Sequence, residues 1–508
     1  MVKKRNATLA KLGIRAIRSR AFRDSDSFME EFIETLTGLG GVYAKFLQGS
    51  LLASIVLKGN RDASKQLRVF ENNPDPGLDP NVCLQNALGY RASMIEITQY
   101  APIGVGSYSA VFKGRTVKDG DEVIIKVLRP GVKEEISRDL RFLKQLAKVF
   151  SFGAPGKIPI DIPSLYGNFQ KACKLEMDFV AEVEFADYMY ERYKNHPHIV
   201  VPRTHLDLSN EDVIVQEYIE GISGTDLLIA KSDGYDPAQY VKEVTGSDLV
   251  HVLRVLMFDL QYSLMSGHFF HGDLHPGNIR VLPNNRIAMI DFGIRADPFS
   301  PNIVPAFVNK ILSDVKIFQG DINIVRILEA HFRLYMRSMY GSLESVCKVA
   351  KRDVTQLFEG LVKTLDLNID NVPEDKFKEW QKKGSAMAIL ADLIGNFKEY
   401  GLAGRIAEQS PMRALTTLNS MTVALGLHEQ VFVPVSLKST KEIMLEKPEL
   451  FQNKLLVMPD LALENIYAWI ERVSSTNPDL GYQIRNYIKE ITSPIDTKVD
   501  LPTVSPII

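Results

Sequence analysis

A chain of 508 residues, 45% hydrophobic and 24% charged, has the composition of an ordinary globular protein and the length for about two to four packed units. Its 60 basic and 62 acidic residues leave a formal net charge of −2, which argues against a general nucleic-acid binder, where a marked basic excess is expected. Cys83, Cys173 and Cys347 lie too far apart for a local metal cluster, which points to a reduced intracellular protein; no run reaches the ~18–20 uncharged apolar residues of a membrane-spanning helix, and the N-terminus lacks the apolar core of a secretory signal.

Residues 1–24 form a basic segment. Before Asp24 there is no acidic residue, while Lys3, Lys4, Arg5, Lys11, Arg15, Arg18, Arg20 and Arg23 alternate with Leu9, Leu12, Ile14, Ile17 and Phe22. Three readings stay open: a solvated basic helix, an amphipathic segment (residues 1–23) on anionic lipid, or an organellar transit peptide. The expected location is cytoplasmic, with peripheral membrane contact or organellar targeting as the alternatives.

Residues 25–90 read as a helical N-terminal extension, with Phe28, Phe32, Ile33, Leu36, Val42, Phe46, Leu51 and Leu52 at helical spacing. Asn72-Asn73-Pro74-Asp75-Pro76-Gly77 breaks the pattern, and Asp79-Pro80 opens a short helix towards Leu88. Residues 91–220 switch to strands over 95–100, 110–115 and 122–128, with Asp119-Gly120-Asp121 as a hairpin turn. Helices over 134–150 and 164–193 follow, then strands over 199–201 and 212–218. Residues 221–492 read as helical apart from 272–292, and 493–508 as a tail. A strand-rich lobe followed by a helix-rich one is the α+β layout of a two-lobed protein-kinase-like fold, here with a helical N-terminal extension and a large helical C-terminal region.

Gly104-Val105-Gly106-Ser107-Tyr108-Ser109, followed by Val111, is a turn between strands whose small residues would let backbone N–H groups approach phosphate oxygens. An ordinary hairpin turn has the same look. Lys126, ending Val123-Ile124-Ile125-Lys126, is placed to reach the α and β phosphates of a nucleotide; an edge-strand lysine facing water is the alternative. Glu217-Tyr218 sits where backbone groups could bind adenine, or is a plain strand terminus.

The most specific segment is His271-Gly272-Asp273-Leu274-His275-Pro276-Gly277-Asn278, followed by Ile290-Asp291-Phe292-Gly293. Phosphoryl transfer needs a carboxylate to orient the acceptor and oxygen ligands to hold Mg²⁺ against the phosphates. Asp273 suits the first task, and Asn278 and Asp291 the second. Alternating runs around Pro283-Asn284-Asn285 predict a hairpin that brings Asn278 and Asp291 to one end.

On these motifs the chain resembles the UbiB/AarF family of atypical kinases, the coenzyme-Q-associated kinase-like proteins, over roughly residues 30–300. The resemblance implies that Glu182 partners Lys126. It aligns Glu176-Met177-Asp178 with the family's Glu-x-Asp motif, and Lys45-Phe46-Leu47-Gln48 with its Lys-x-Gly-Gln motif. Lys45 and Gln48 share one helix face, and Glu176 and Asp178 are either their partners across the cleft or a surface charge cluster. Leu47 stands where the family has glycine, and Gly104 and Gly106 replace its Ala-rich nucleotide loop. The implied function is an ATP-binding, Mg²⁺-dependent kinase or ATPase acting on a lipid-like small molecule such as a quinone precursor. An aminoglycoside- or choline-type phosphotransferase and a nucleotide-binding regulatory scaffold are the rivals.

Overall fold

The computed structural model describes residues 77–153 and 162–311 except 107, 302 and 309, parts of 332–360, and 410–450 except 448 and 449. The basic segment 1–24, the Lys45/Gln48 motif, most of the extension 25–90 and the tail 493–508 lie outside the described residues.

Helix α1 (Pro80–Leu88) starts where Asp79 accepts from Asn81 N–H and Pro80 supplies a first helical residue that needs no donor. A four-stranded antiparallel sheet follows, in the order β1 (Ile95–Val105), β2 (Ser109–Thr116), β3 (Glu122–Leu128), β5 (Val213–Glu217). Alternation along β2 and β3 sends Ala110, Phe112, Val123, Ile125 and Val127 into one core. Leu84 and Leu88 of α1 close that core, so the short helix assigned to the N-terminal extension packs as part of the strand lobe. The first strand is longer than its hydrophobic run suggests and irregular in register between Ile97 and Gly104.

Helix α2 (Val132–Gly153) packs on α3 (Ile162–Glu176). The single helix expected over 164–193 is in fact two, because Asp178 leaves helical dihedrals and caps α4 (Phe179–Tyr193) by accepting from Ala181 N–H. In α4, residues Phe179, Glu182, Phe185, Ala186, Met189 and Tyr193 recur at three- and four-residue spacing and are all buried. The last four of these join the helical core rather than the sheet core, so the lobes interlock ahead of residue 220.

The helical lobe contains α5 (Gly224–Ser232), α6 (Pro237–Thr245), α7 (Leu249–Ser266), α8 (Ser410–Ala424) and α9 (His428–Glu446). Helix α7 is its axis: Leu249, Val252, Leu253, Leu256, Leu260 and Leu264 have no exposed surface, and both C-terminal helices pack on it. The helical lobe also carries a small sheet, β4 (Ile199–Val200), β9 (Arg286–Met289), β8 (Ile279–Leu282), β6 (Ile222–Ser223), and a ribbon of β7 (Phe270–His271) with β10 (Arg295–Ala296). The expected hairpin around Pro283 forms: Asn284 and Asn285 take φ of 64° and 51°, the left-handed pair that matches strand twist in a tight turn.

Candidate active site

The strand-lobe half of the site follows from two periodicities. On β3, Val123, Ile125 and Val127 face the sheet core, so Lys126 points to the opposite face, where α4 lies. On α4, Glu182 shares the buried stripe, and its side chain is only 2% exposed. The two meet: Lys126 Nζ donates to Glu182 Oε1 at 2.6 Å and to Asp291 Oδ1 at 3.1 Å, bridging positions 56 and 165 residues away. The Phe179 ring covers the ammonium, 5.5 Å from its centroid. Burial works against the Lys126 charge, but Asp291 and Glu182 outweigh it and raise its pKa. Burial also pushes the Glu182 carboxyl up to about 7 against the pull of Lys126, whereas the Lys126 ammonium holds Asp291 below the usual carboxylate value.

The helical-lobe half is the loop between β7 and β8. His271 is fully buried, and desolvation lowers its pKa and keeps it neutral. Its Nδ1 accepts from Asp273 N–H at 3.1 Å, so Nε2–H donates to Ile290 O at 2.9 Å. Asn278 Nδ2 donates to Asp273 O at 3.0 Å, and Asn278 O accepts from Ile290 N–H at 3.0 Å. These bonds tie Asp273, Asn278 and the residue before Asp291 into one frame. A side chain at Gly272 would meet the Arg295 carbonyl carbon and the Ile294 oxygen at 2.9 Å, so only glycine lets β7 approach the ribbon partner there. Phe292 packs edge-on against Phe185 of α4, 6.0 Å between centroids, and 5.0 Å from the His271 ring. This apolar bridge couples α4 to the loop. Asp291 itself sits at φ 65°, a conformation that Asp tolerates better than most residues.

Other sequence-predicted positions fall as follows. Gly104 pairs with Val111 and Val105 with Ala110, and Gly106 N–H closes the turn on Ser109 O at 2.8 Å; Ser107 lies outside the described residues. The Tyr108 side chain is buried, its hydroxyl 3.3 Å from Cys173 Sγ on α3. Glu217 ends β5 and Tyr218 follows it, but their N–H groups are already committed, to Arg203 O and Glu122 O, so any adenine contact there would fall to carbonyls or to the residues that follow. Asp178 is the cap of α4 and Glu176 the last residue of α3, with Lys45 and Gln48 outside the described residues.

One contact was not anticipated. Arg413, in the first turn of α8, donates to Asp273 Oδ2 at 2.9 Å across 140 positions of sequence. No local pattern around Arg413 announces it.

The donor set suits a Mg-nucleotide. Asn278 and Asp291 offer hard oxygens, which Mg²⁺ prefers, and a cation shared with substrate phosphates needs only one or two protein ligands. Among the described residues no three His, Cys, Asp or Glu gather into a preformed metal cage. Glu182 Oε2 is buried without a hydrogen-bond partner among them, and a side chain at Gly293 would come within 3.3 Å of it and 3.5 Å of Asp291 Oδ1. The bare glycine therefore keeps this corner open beside an unsatisfied acceptor.

Comparison with known proteins adds an independent line. Residues 91–316 match the family described as the ABC1 atypical kinase-like domain. The chain is 24% identical to a probable protein kinase UbiB of Pseudomonas entomophila, over 92% of this chain and 78% of that protein. It is 27% identical to an uncharacterized protein of Mycobacterium tuberculosis, over 53% of this chain, and spans about half the length of that relative (54%). It is 30% identical to the chloroplastic protein Activity of bc1 complex kinase 1 of Arabidopsis thaliana, over 38% of this chain and 26% of that one. A solved complex of Rv3197 with erythromycin from Mycobacterium tuberculosis aligns at 17% identity and a TM-score of 0.43, covering 81% of this chain and 96% of that one.

Proposed function

We propose that the protein, whose residues 91–316 match the ABC1 atypical kinase-like domain, is an ATP- and Mg²⁺-dependent phosphotransferase or ATPase whose site joins Lys126, Glu182, Asp273, Asn278 and Asp291. The observation that carries the reading is the Lys126 ammonium between Glu182 and Asp291, because it draws one residue from each lobe and the intervening helix to a single point. Bound Mg-ATP supplies the electrophilic γ-phosphoryl group. Lys126 steadies the phosphates, Glu182 aims Lys126, and Asn278 and Asp291 hold the metal. Asp273 takes the proton of the acceptor hydroxyl as the acceptor oxygen bonds to the γ-phosphorus and the bond to the β,γ-bridging oxygen breaks, releasing ADP. With water as acceptor the same steps release phosphate.

For the acceptor we propose a lipid-like small molecule of the quinone-precursor kind, on the strength of the UbiB resemblance. Among the described residues no helix is long and apolar enough to cross a membrane, and contact with a bilayer would fall to residues 1–23. The test is ATP-dependent mass gain across a metabolite extract, run beside Asp273→Asn. A product formed by the wild type and absent with the variant supports the reading; equal ATP consumption by both proteins removes Asp273 from its role.

A further inference from the structure

We propose that Arg413 is a positioning residue for phosphoryl transfer: it holds Asp273 Oδ2 so that the carboxylate presents its other oxygen to the acceptor. The inference rests on the phosphotransferase reading above.

The Asp273 backbone is fixed at both ends, its N–H by His271 and its carbonyl by Asn278, but neither bond orients the carboxylate. Arg413 is the side chain that does so among the described residues. Its own base is well packed. Ala414 and Leu418, on the same helix, have no exposed surface, Met421 is buried, and α8 packs against β10 and α7. Thr417 Oγ1 further pins the Arg413 carbonyl at 2.8 Å. The residue type is also unusual for its place. The first turn of a helix favours anions and disfavours cations, and α8 has no acidic residue there. A guanidinium at that position gains from a carboxylate close by, and Asp273 is the one it meets. The C-terminal helical region thereby reaches into the catalytic loop through one side chain.

The experiment measures phosphate release from Mg-ATP by the full chain, with Arg413→Ala, Arg413→Lys, Asp273→Asn and the Arg413→Ala/Asp273→Asn double variant. Expected is a drop in kcat of about tenfold or more for Arg413→Ala with KM for ATP nearly unchanged, and partial recovery with Arg413→Lys. In the Asp273→Asn background the Arg413→Ala change is expected to cost nothing further, because a positioning residue acts only through what it positions. Thermal stabilisation by Mg-ATP should be equal in wild type and Arg413→Ala; where Ala lowers the melting temperature, Arg413→Gln takes its place. Full activity of Arg413→Ala beside an inactive Asp273→Asn overturns the inference alone. So does the same fold-loss in both backgrounds, and so does a rise in kcat, which would make Arg413 an inhibitory latch. A wild type that neither turns over nor is stabilised by Mg-ATP overturns the phosphotransferase reading and this inference with it.

Discussion

The two halves of the candidate site hold their charges in opposite ways. In the strand-lobe half, the Lys126 and Glu182 side chains are 14% and 2% exposed, and their contact is 2.6 Å long. In the helical-lobe half, Arg413 and Asp273 are 50% and 24% exposed at 2.9 Å. A buried pair is costly to assemble and costlier to break, because removing one partner strands the other charge away from water. An exposed pair contributes about 0–1 kcal/mol and can exchange partners when a substrate arrives. On the proposed function, the contrast separates a fixed anchor for phosphates from an adjustable hold on the residue that would handle the acceptor.

The contrast breaks most visibly at Lys126. Lys126→Met should destabilise the protein by about 3 kcal/mol in urea titration, since Glu182 and Asp291 are left facing each other without their cation. A loss below ~1 kcal/mol would put this pair in the same class as the exposed one. A smaller effect sharpens the electrostatics. Burial raises the Glu182 carboxyl from 4.5 to about 7, so between those pH values the folded chain keeps a proton that the unfolded chain has released. Stability contributed by this group is complete below 4.5 and declines as pH rises through about 7. Glu182→Gln should remove that slope from melting curves taken across the window; an unchanged slope would mean that Glu182 titrates as if solvated. The smallest effect concerns the helix that delivers Glu182. Asp178→Ala removes the N-cap of α4 and should cost about 1 kcal/mol in the same titration, with no cost expected if water replaces the cap.

Legibility tracked distance along the chain. Asp273, Asn278 and the hairpin leading to Asp291 could be read directly, because the chemistry sits within one short stretch and two asparagines suit the turn that closes it. Strand alternation around Lys126 was equally visible, yet its partner on α4 came only from the family resemblance; by composition Glu182 is an ordinary helix glutamate. The break at Asp178 was missed because the hydrophobic pattern runs on through it, while an N-cap is a single-residue signal. The burial of the Tyr108 side chain was illegible for a related reason. A tyrosine in a glycine-rich turn has no local mark telling it to fold inward onto Cys173, and the choice belongs to packing between the strand lobe and α3.

From the order of residues alone came the alternation that builds the sheet, the spacing that buries one face of α4, and the short loop in which an aspartate and an asparagine share a frame. These are local matters of period and turn geometry, which a chain carries wherever it goes. Tertiary structure alone decided that β3, α4 and the segment around Asp291 meet at one ammonium, that the N–H groups at the end of β5 are already taken, and that Arg413 arrives at Asp273 from 140 positions away. Burial and charge pairing depend on which surfaces close on one another, and that is settled only when the cores have formed.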